Sequence, residues 1–480
     1  MRRRAVRAAL FHEPLPCQGV SMTTSPAHGT IREPERNIPV IGEYDVVVVG
    51  GGPAGLMAAT AASRAGRSTL LIEKYGFLGG AGTMGGLATF CGMHARAYGT
   101  DFQSVHGFAD ELLDRMRVMD GLNDVHLSVD NRIQALSYDI SALKIAADEL
   151  VVAGGAELLF HTSVADVVMR DEKTIDAVIV ESKSGRAAVR GRFFIDGSGD
   201  GDLAAWSGAP FEVSEHLMYP SLMFRINGVH PEEAGEAWKT VRRLMEEAEA
   251  AGTHHFPRKK PIVRPQRNPL EWRSNLTQLS NEDGSAIDGT NVDQLTRGEL
   301  QGRQQVKDTF AFIKQVTPGF QDSYVVDIAP SIGIRETRRI IGAYQLTQED
   351  VLECRDFDDT IGVNGWPVEA HVVGDVVFKF APEDSRGYNQ LPYRMIVPQV
   401  VGNLFVAGRA ASMTQGGQSS GRVTGPCWVM GQAAGTAADL ALSTDGTTAG
   451  VDVPTLQQRL EADGAYLGTR LPEGIAVPVP

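Results

Sequence analysis

The sequence predicts an α/β protein: a mostly parallel sheet with helices packed on it, joined to an antiparallel β-meander and interrupted by an inserted mixed α+β domain. Three observations point to that class. At residues 45–65 a glycine-rich loop joins a buried, β-branched strand to an alanine-rich helix. Two later buried strands, ending near residues 196 and 407, also run into glycine. Between residues 216 and 390 the chain changes character, with charged helices and a stretch rich in proline and arginine.

The elements follow in order. Residues 45–49 (Asp-Val-Val-Val-Val) form an uninterrupted apolar run bounded by glycines, the pattern of a parallel strand buried on both faces. Residues 53–65 read as a helix opened by Pro53, whose missing N–H costs nothing at a first position. Residues 68–73 are the second strand, completing a β-α-β unit. Residues 138–153 have helical apolar spacing, and 156–161 a short strand. Residues 163–169, 174–181 and 186–195 read as a meander with a return strand. In the inserted block, 221–227 is extended, 231–251 and 292–316 are helical, and 256–273 is the Pro- and Arg-rich stretch. Residues 403–409 return to the buried style, followed by a loop at 412–421 and a helix at 423–442.

A chain of 480 residues holds two hydrophobic cores. The predicted first domain joins 44–90, 130–215 and 391–445; the second joins 91–129 and 216–390. Residues 1–43 read as a disordered leader, with Met22 as a natural start, and 446–480 as a C-terminal tail. A net charge of −14 argues against nucleic acid or an anionic membrane as partner. No stretch approaches the ~18 consecutive apolar residues of a membrane span. Cys17, Cys91, Cys354 and Cys427 include no Cys-x-x-Cys pair, which excludes iron–sulfur, structural zinc and disulfide frameworks and makes a reduced, cytoplasmic setting the default. No metal site is predicted, and the oligomeric state stays open.

The glycine loop carries the first chemistry. Gly50 permits a tight turn, Gly52 lets backbone approach a pyrophosphate, and Gly55 lets helix and strand pack closely; Pro53 and Ala54 start the helix whose positive end faces the phosphates. Glu73, at the end of the second strand, is placed to accept ribose hydroxyls. That fingerprint alone says only dinucleotide. A second segment, 193–202, ends a buried strand at Asp196-Gly197-Ser198-Gly199-Asp200-Gly201-Asp202. Glycine there allows close approach, and the carboxylates suit sugar or ribityl hydroxyls; an acidic, cation-binding turn is the alternative. Its Gly197-x-Gly199-x-Gly201 lacks the third-glycine spacing and a following helix, so no separate NAD(P)H domain is expected. The third segment runs through Gly408 and Arg409 into a helix start, where free N–H groups favour negative charge. A returning strand and helix of this kind suit a flavin, and make the Rossmann-like domain one that binds FAD.

With these segments in view, the chain resembles the FAD-dependent oxidoreductases of the glutathione-reductase-like flavoprotein superfamily. Within it, the chain is similar to the branch with xanthan-lyase-like and heterodisulfide-reductase-flavoprotein-like relatives. The resemblance is carried by 46–80, 193–205, 333–339 with 342–344, 391–394 and 404–438. It implies that the backbone of Val164 contacts adenine, that Gly79 and Gly80 line the phosphate and ribityl region, and that Lys74 and Gly421 lie in cofactor-binding segments. Two departures narrow the chemistry. Where relatives read Ser-x-Thr-His-Glu, this chain has Ser412-Met413-Thr414-Gln415-Gly416, so Gln415 replaces a histidine and can only exchange hydrogen bonds. The segment 81–86 has no redox cysteine pair, which argues against thiol–disulfide chemistry.

Arg335, Arg338, Arg339, Arg394 and Arg422 fall in or beside these motifs. Arg335 and Arg422 are candidates to clamp a substrate carboxylate or stabilise reduced flavin; the bland alternative is pairing with Glu336 and its neighbours. His94, Tyr388 and Tyr393 are candidate proton carriers. The expected activity is hydride transfer from a small organic substrate, one with a carboxylate if the arginines bind it, to flavin N5. Electrons then pass to oxygen, a quinone or a protein. A flavin monooxygenase and a flavin electron-carrier subunit of a larger complex are the alternatives.

Overall fold

A computed structural model describes residues 31–475 and 477, apart from 130 and 445. Most of the predicted leader, with Met22 and Cys17, lies outside the described residues. The first strand, Val40–Val49, starts earlier than predicted because residues from Val40 pair with Ala188 onward.

A seven-stranded sheet organises the first domain. Glu157–Leu159, Thr69–Ile72, Val40–Val49 and Gly185–Asp196 lie side by side and parallel. The twelve-residue strand Gly185–Asp196 changes partners along its length. Its first half pairs antiparallel with Thr174–Ser182 of the meander, whereas its last three residues pair in parallel with Leu404–Val406. Ser163–Asp171 completes the meander. The register sets Val49 beside both Ile72 and Asp196, and Asp196 beside Val406. The three glycine-bearing turns and Glu73 therefore emerge together at the carboxyl edge of the sheet, where open α/β sheets bind ligands.

Helices Pro53–Arg64 and Thr424–Ser443 pack on this sheet and on each other through small side chains. A Cβ at Gly431 would lie 2.1 Å from Ala54 O, and one at Gly435 would lie 2.3 Å from Ala58 O. Backbones this close need glycine at the crossing. The returning C-terminal helix thus fixes where the first helix begins.

Helix Phe108–Val118 buries Leu112, Leu113 and Met116 in the core of the sheet domain, so segment 91–129 does not stand with the inserted block. Helix Val453–Ala462, capped by Asp452, buries Leu456 and Leu460 in the same core; the predicted tail is structured because these i,i+4 leucines share a face. The separate core spans Leu222 to Ile332. There Phe224–Asn227, Trp272–Asn275, Ile262–Pro265 and Tyr324–Ile328 form an antiparallel sheet beside helix Val292–Val316. The predicted helix at 231–251 is broken into Pro231–Ala234 and Ala237–Ala250, with Gly235 at φ +47° between them.

Candidate cofactor and substrate site

The glycine loop is built around backbone contact. Gly50 has φ +93°, and a Cβ there would sit 2.5 Å from Gly197 O. A Cβ at Gly55 would lie 1.8 Å from Gly50 O, so helix and loop touch only because Gly55 has none. Gly52 differs: its Cβ would meet nothing nearer than 3.9 Å, although Gly80 and Gly197 stand opposite. That open space lies at the start of helix Pro53–Arg64, whose Gly52 N-cap offers no side-chain acceptor to the first N–H groups. A pyrophosphate meets both conditions. Gly79, at φ +106°, donates its N–H to Gly51 O, and a Cβ on Gly80 would strike Gly52 Cα at 2.7 Å.

Glu73 is 7% exposed and is held by backbone. Oε2 accepts from Gly51 N–H at 2.7 Å and Oε1 from Tyr75 N–H at 2.9 Å. Burial raises its pKa, opposed by these bonds. Each oxygen keeps a lone pair for a ribose hydroxyl. Thr162 N–H donates to Glu73 O, which places Val164, two residues on, beside this end; Lys74 is exposed, with Nζ over the Tyr75 ring.

The second turn gives its carboxylates to protein partners. Asp196 is fully buried; it accepts from Ser198 N–H, Ser198 Oγ–H and Ala204 N–H, and burial with Asp202 nearby pushes its pKa up to about 6. Asp202 pairs with Arg338 at 2.9 Å. Asp200 Oδ1 accepts from Arg409 Nη2 at 2.7 Å and from Thr337 Oγ at 2.9 Å. Asp200 Oδ2 is left for a sugar. Gly199 faces the Arg409 guanidinium, and Gly197 lies against Gly50 and Gly55. A one-turn helix, Asp202–Trp206, follows the turn where none was predicted, begun by Gly201 at φ +66°.

In the third segment Gly408, at φ +93°, faces Ala54 and Cys427; a Cβ there would lie 3.1 Å from Ala54 Cβ. The predicted loop at 412–421 contains helix Gln415–Gly421, because Thr414 accepts from Gly417 N–H as its cap. The main helix then starts at Thr424 with no side-chain cap on Val423. Gly421 packs against Met413 and faces no open space. From Gly52 and Gly80, through Ala54 and Gly408, to the uncapped start of Thr424–Ser443 there is one continuous, side-chain-poor path. It fits an extended dinucleotide with a flavin at the far end.

Beside that far end lies a buried charge cluster. Arg335 is 7% exposed, and its guanidinium donates to Tyr219 O at 2.5 Å and Ser221 Oγ at 2.7 Å, both neutral. The predicted partner Glu336 is taken by Arg339, Ser214 and Gln415. Gln418 ties the Arg335 carbonyl to the Arg409 carbonyl, and so to the FAD path. Arg422 immediately precedes the helix start and donates to Glu369 O at 3.3 Å. Glu369 and His371 join them. Glu369 accepts from Trp366 Nε1 at 2.9 Å and pairs with His371 Nε2 at 3.0 Å. Burial and the nearby arginines hold the His371 pKa well below its usual value, so the ring is neutral; His371 and Arg422 keep Glu369 charged. Arg258, 3% exposed, and Arg422 both lower the Arg335 pKa after burial itself. A guanidinium does not give up its proton inside a protein. Three cations therefore face one carboxylate.

Glu369, His371 and Arg258 were not singled out from the sequence. Their signal was there: Val368–Val372 alternates Glu369 and His371 onto one strand face, and Arg258 lies in the Pro- and Arg-rich stretch. The other predicted residues fall elsewhere. Tyr393 is 3% exposed; its hydroxyl donates to Thr448 O at 2.5 Å and burial raises its pKa, so the proton is spent in packing. Tyr388 Oη meets Tyr466 Oη at 3.0 Å. His94 lines a second cavity of about 570 Å³; its Nδ1 has no partner and burial lowers its pKa. Gln415 donates to His216 O and Glu336. Arg394 pairs with Asp359 at the surface. Among the described residues no His, Cys, Asp and Glu group is arranged to hold a metal, and no helix is long and apolar enough to cross a membrane.

Fold and site together define an FAD-binding oxidoreductase. The chain belongs to the FAD dependent oxidoreductase family, whose model matches residues 45–460. Among curated relatives, thiamine thiazole synthase of Methanococcus vannielii is 31% identical over 144 residues, covering 30% of this chain and 48% of that protein. Dihydrolipoyl dehydrogenase of Trypanosoma brucei brucei is 53% identical over 45 residues, 9% of each chain. This chain thus spans about half the length of these relatives or less. Among solved structures, p-nitrophenol 4-monooxygenase from Pseudomonas putida is similar with TM-score 0.46 and 12% identity, covering 90% of both chains. A geranylgeranyl bacteriochlorophyll reductase-like protein from Thermoplasma acidophilum gives TM-score 0.42 and 14% identity, covering 88% of this chain and 83% of that one.

Proposed function

We propose that the enzyme oxidises a small organic acid, with Arg335 and Arg422 holding the substrate's acidic group beside the cofactor. The observation that carries this reading is the excess of buried positive charge: Arg258, Arg335 and Arg422 gather around Glu369, and Asp375, which also acts on Arg258, is already paired with Lys260. Burying unpaired like charges is costly, and an anionic ligand offsets that cost. Bound FAD supplies the acceptor for a hydride, and oxygen, a quinone or a protein regenerates it. The substrate loses that hydride and one proton. Neutral His371, oriented by Glu369, is the base of this cluster and takes the proton. The uncapped start of Thr424–Ser443 supports negative charge at the flavin end.

The test is anaerobic mixing of the yellow, FAD-loaded protein with small hydroxy and amino acids. Loss of visible flavin absorbance with an acid, and not with its amide, supports the reading. Rapid bleaching by NADPH alone, followed by a flavin–oxygen adduct on aeration, would establish the monooxygenase instead. No reduction by any small molecule would favour an electron-carrier subunit.

A further inference from the structure

A cavity of about 1190 Å³ lies between the inserted domain and segment 123–131, walled by His126, by the strand Ile262–Pro265 and by the segment near Phe378. Its cations divide into two kinds. Those toward the rim are paired: Lys239 with Glu236, Lys260 with Asp375, and Arg267 with Asp120. Arg258 and Arg264 line the cavity and Arg273 lies just outside its lining; none of the three makes an ion pair among the described residues, although Glu369 and Asp375 act on Arg258 and Glu236 on Arg264. The sheet register places Arg264 directly opposite Arg273 on neighbouring antiparallel strands, so two like charges point to one face. Such opposed pairs are unfavourable unless something lies between them. The Arg264 guanidinium lies over the Trp238 ring, at 5.0 Å, and among the described residues neither guanidinium makes a hydrogen bond. Arg273 Nε, His126 Nε2 and Arg258 Nη2 are buried without partners.

We propose that Arg264 and Arg273, with His126, form a second anion-binding site, and that the substrate carries two acidic groups, one here and one at Arg335. This rests on the reading of Arg335 given above. The two sites adjoin. Val376 and Phe378, which line the cavity, pair in register with His371 and Glu369 of the first site, and Arg258 lines the cavity while acting on Arg335. Burial and Arg273 hold His126 down to about 4, so at neutral pH it is an uncharged donor. Arg273 is pushed down to about 10 and stays charged. An oligocarboxylate or a phosphorylated acid has the charge that this arrangement lacks.

Calorimetric titration of the FAD-loaded full chain tests the site without turnover. The probes are citrate, inorganic phosphate and acetate, with glycerol as the neutral control. Citrate should bind at least about tenfold more tightly than acetate. Arg264→Gln and Arg273→Gln should each loosen citrate about tenfold and leave acetate within about twofold, because acetate needs only Arg335. Phosphate should lose binding in both variants, and glycerol should not bind. In ligand-free thermal scans Arg264→Gln should melt no lower than the parent, since removing one of two opposed cations relieves repulsion. Unchanged citrate affinity in both variants would overturn the proposal, as would melting temperatures that fall in step with affinity. If citrate behaves as stated but no acid reduces the flavin, only the oxidation reading fails. If a monocarboxylate reduces the flavin and citrate ignores both arginines, only the second site fails.

Discussion

The cofactor path and the arginine cavity are two ways of binding anions in one molecule. Along the path, recognition is done by backbone: Gly50, Gly52, Gly55, Gly80 and Gly408 remove side chains so that N–H groups and helix starts reach the ligand. In the cavity it is done by long side chains of the inserted domain, Arg258 and Arg264 in the wall with Arg273 opposite Arg264 on the neighbouring strand. The first design pays little when empty, because water satisfies exposed helix N–H groups. The second leaves like charges buried and opposed. A site strained in this way holds ligand charge more strongly and costs stability without it. The difference suits a cofactor kept for many turnovers and a substrate that comes and goes.

The sharpest way to break the first region is Gly55→Val. Its Cβ would lie 1.8 Å from Gly50 O, and neither strand nor helix can retreat, because Gly431 and Gly435 already hold the helix at backbone contact. Overpacking of this kind costs ~1–3 kcal/mol or more, and it falls on the phosphate loop itself. The variant should purify colourless, or not fold, as read by visible absorbance and FAD content. Retained stoichiometric FAD would show that the loop is not the cradle.

Arg335→Gln attacks the second region and should leave the first intact. FAD content should match the parent while kcat/KM falls by about a thousandfold, roughly 4 kcal/mol, as for loss of a buried charge-assisted contact. The glutamine keeps a donor for Tyr219 O and Ser221 Oγ. A loss confined to KM would mark uniform binding, and equal falls in kcat and kcat/KM would place Arg335 at the transition state.

How much of each region is legible in the sequence follows from the same contrast. Glycine spacing is local, so Gly50 to Gly55, Glu73 and the turns at Gly197 and Gly408 can be read in order along the chain. Small offsets, such as the helix at Gln415–Gly421, depended on a Thr414 cap inside a glycine-rich run. The cavity is not local. Arg264 opposite Arg273, and Glu369 beside Arg422, are set by strand register and tertiary docking, and no spacing rule predicts them. Tyr393 shows the converse. It sits in a recognisable motif, yet Thr448, from the chain's end, takes its hydroxyl proton.

Asp196 gives the cofactor path a pH dependence. Its folded pKa of about 6 lies above the ordinary 3.8 because burial and Asp202 oppose the charged form. The folded state thus binds the proton more tightly than the unfolded one. Its contribution to stability is fully present below pH 3.8 and is lost as pH rises through 6. The span corresponds to about 3 kcal/mol at most. Chemical denaturation of Asp196→Asn across this window should show a flatter slope than the parent. An unchanged slope would mean that Asp196 ionises normally in the folded chain.

The smallest effect is expected at Gln415, where the family resemblance implies that relatives often carry histidine. Its Nε2 donates to His216 O at 2.6 Å and to Glu336 at 3.0 Å, so the amide braces the Arg339–Glu336 link. An amide neither gains nor loses a proton at working pH. Gln415→Leu should therefore cost about 1 kcal/mol of stability, one hydrogen-bonded brace, and shift kcat/KM by less than about threefold, with the pH profile unmoved. Gln415→His is the informative partner. If acid–base work at this position were all the enzyme lacked, a histidine there would raise kcat and add a limb to the pH profile near the usual histidine range. If His371 already takes the proton, Gln415→His gains nothing, and the base belongs to the arginine region and not to the cofactor path.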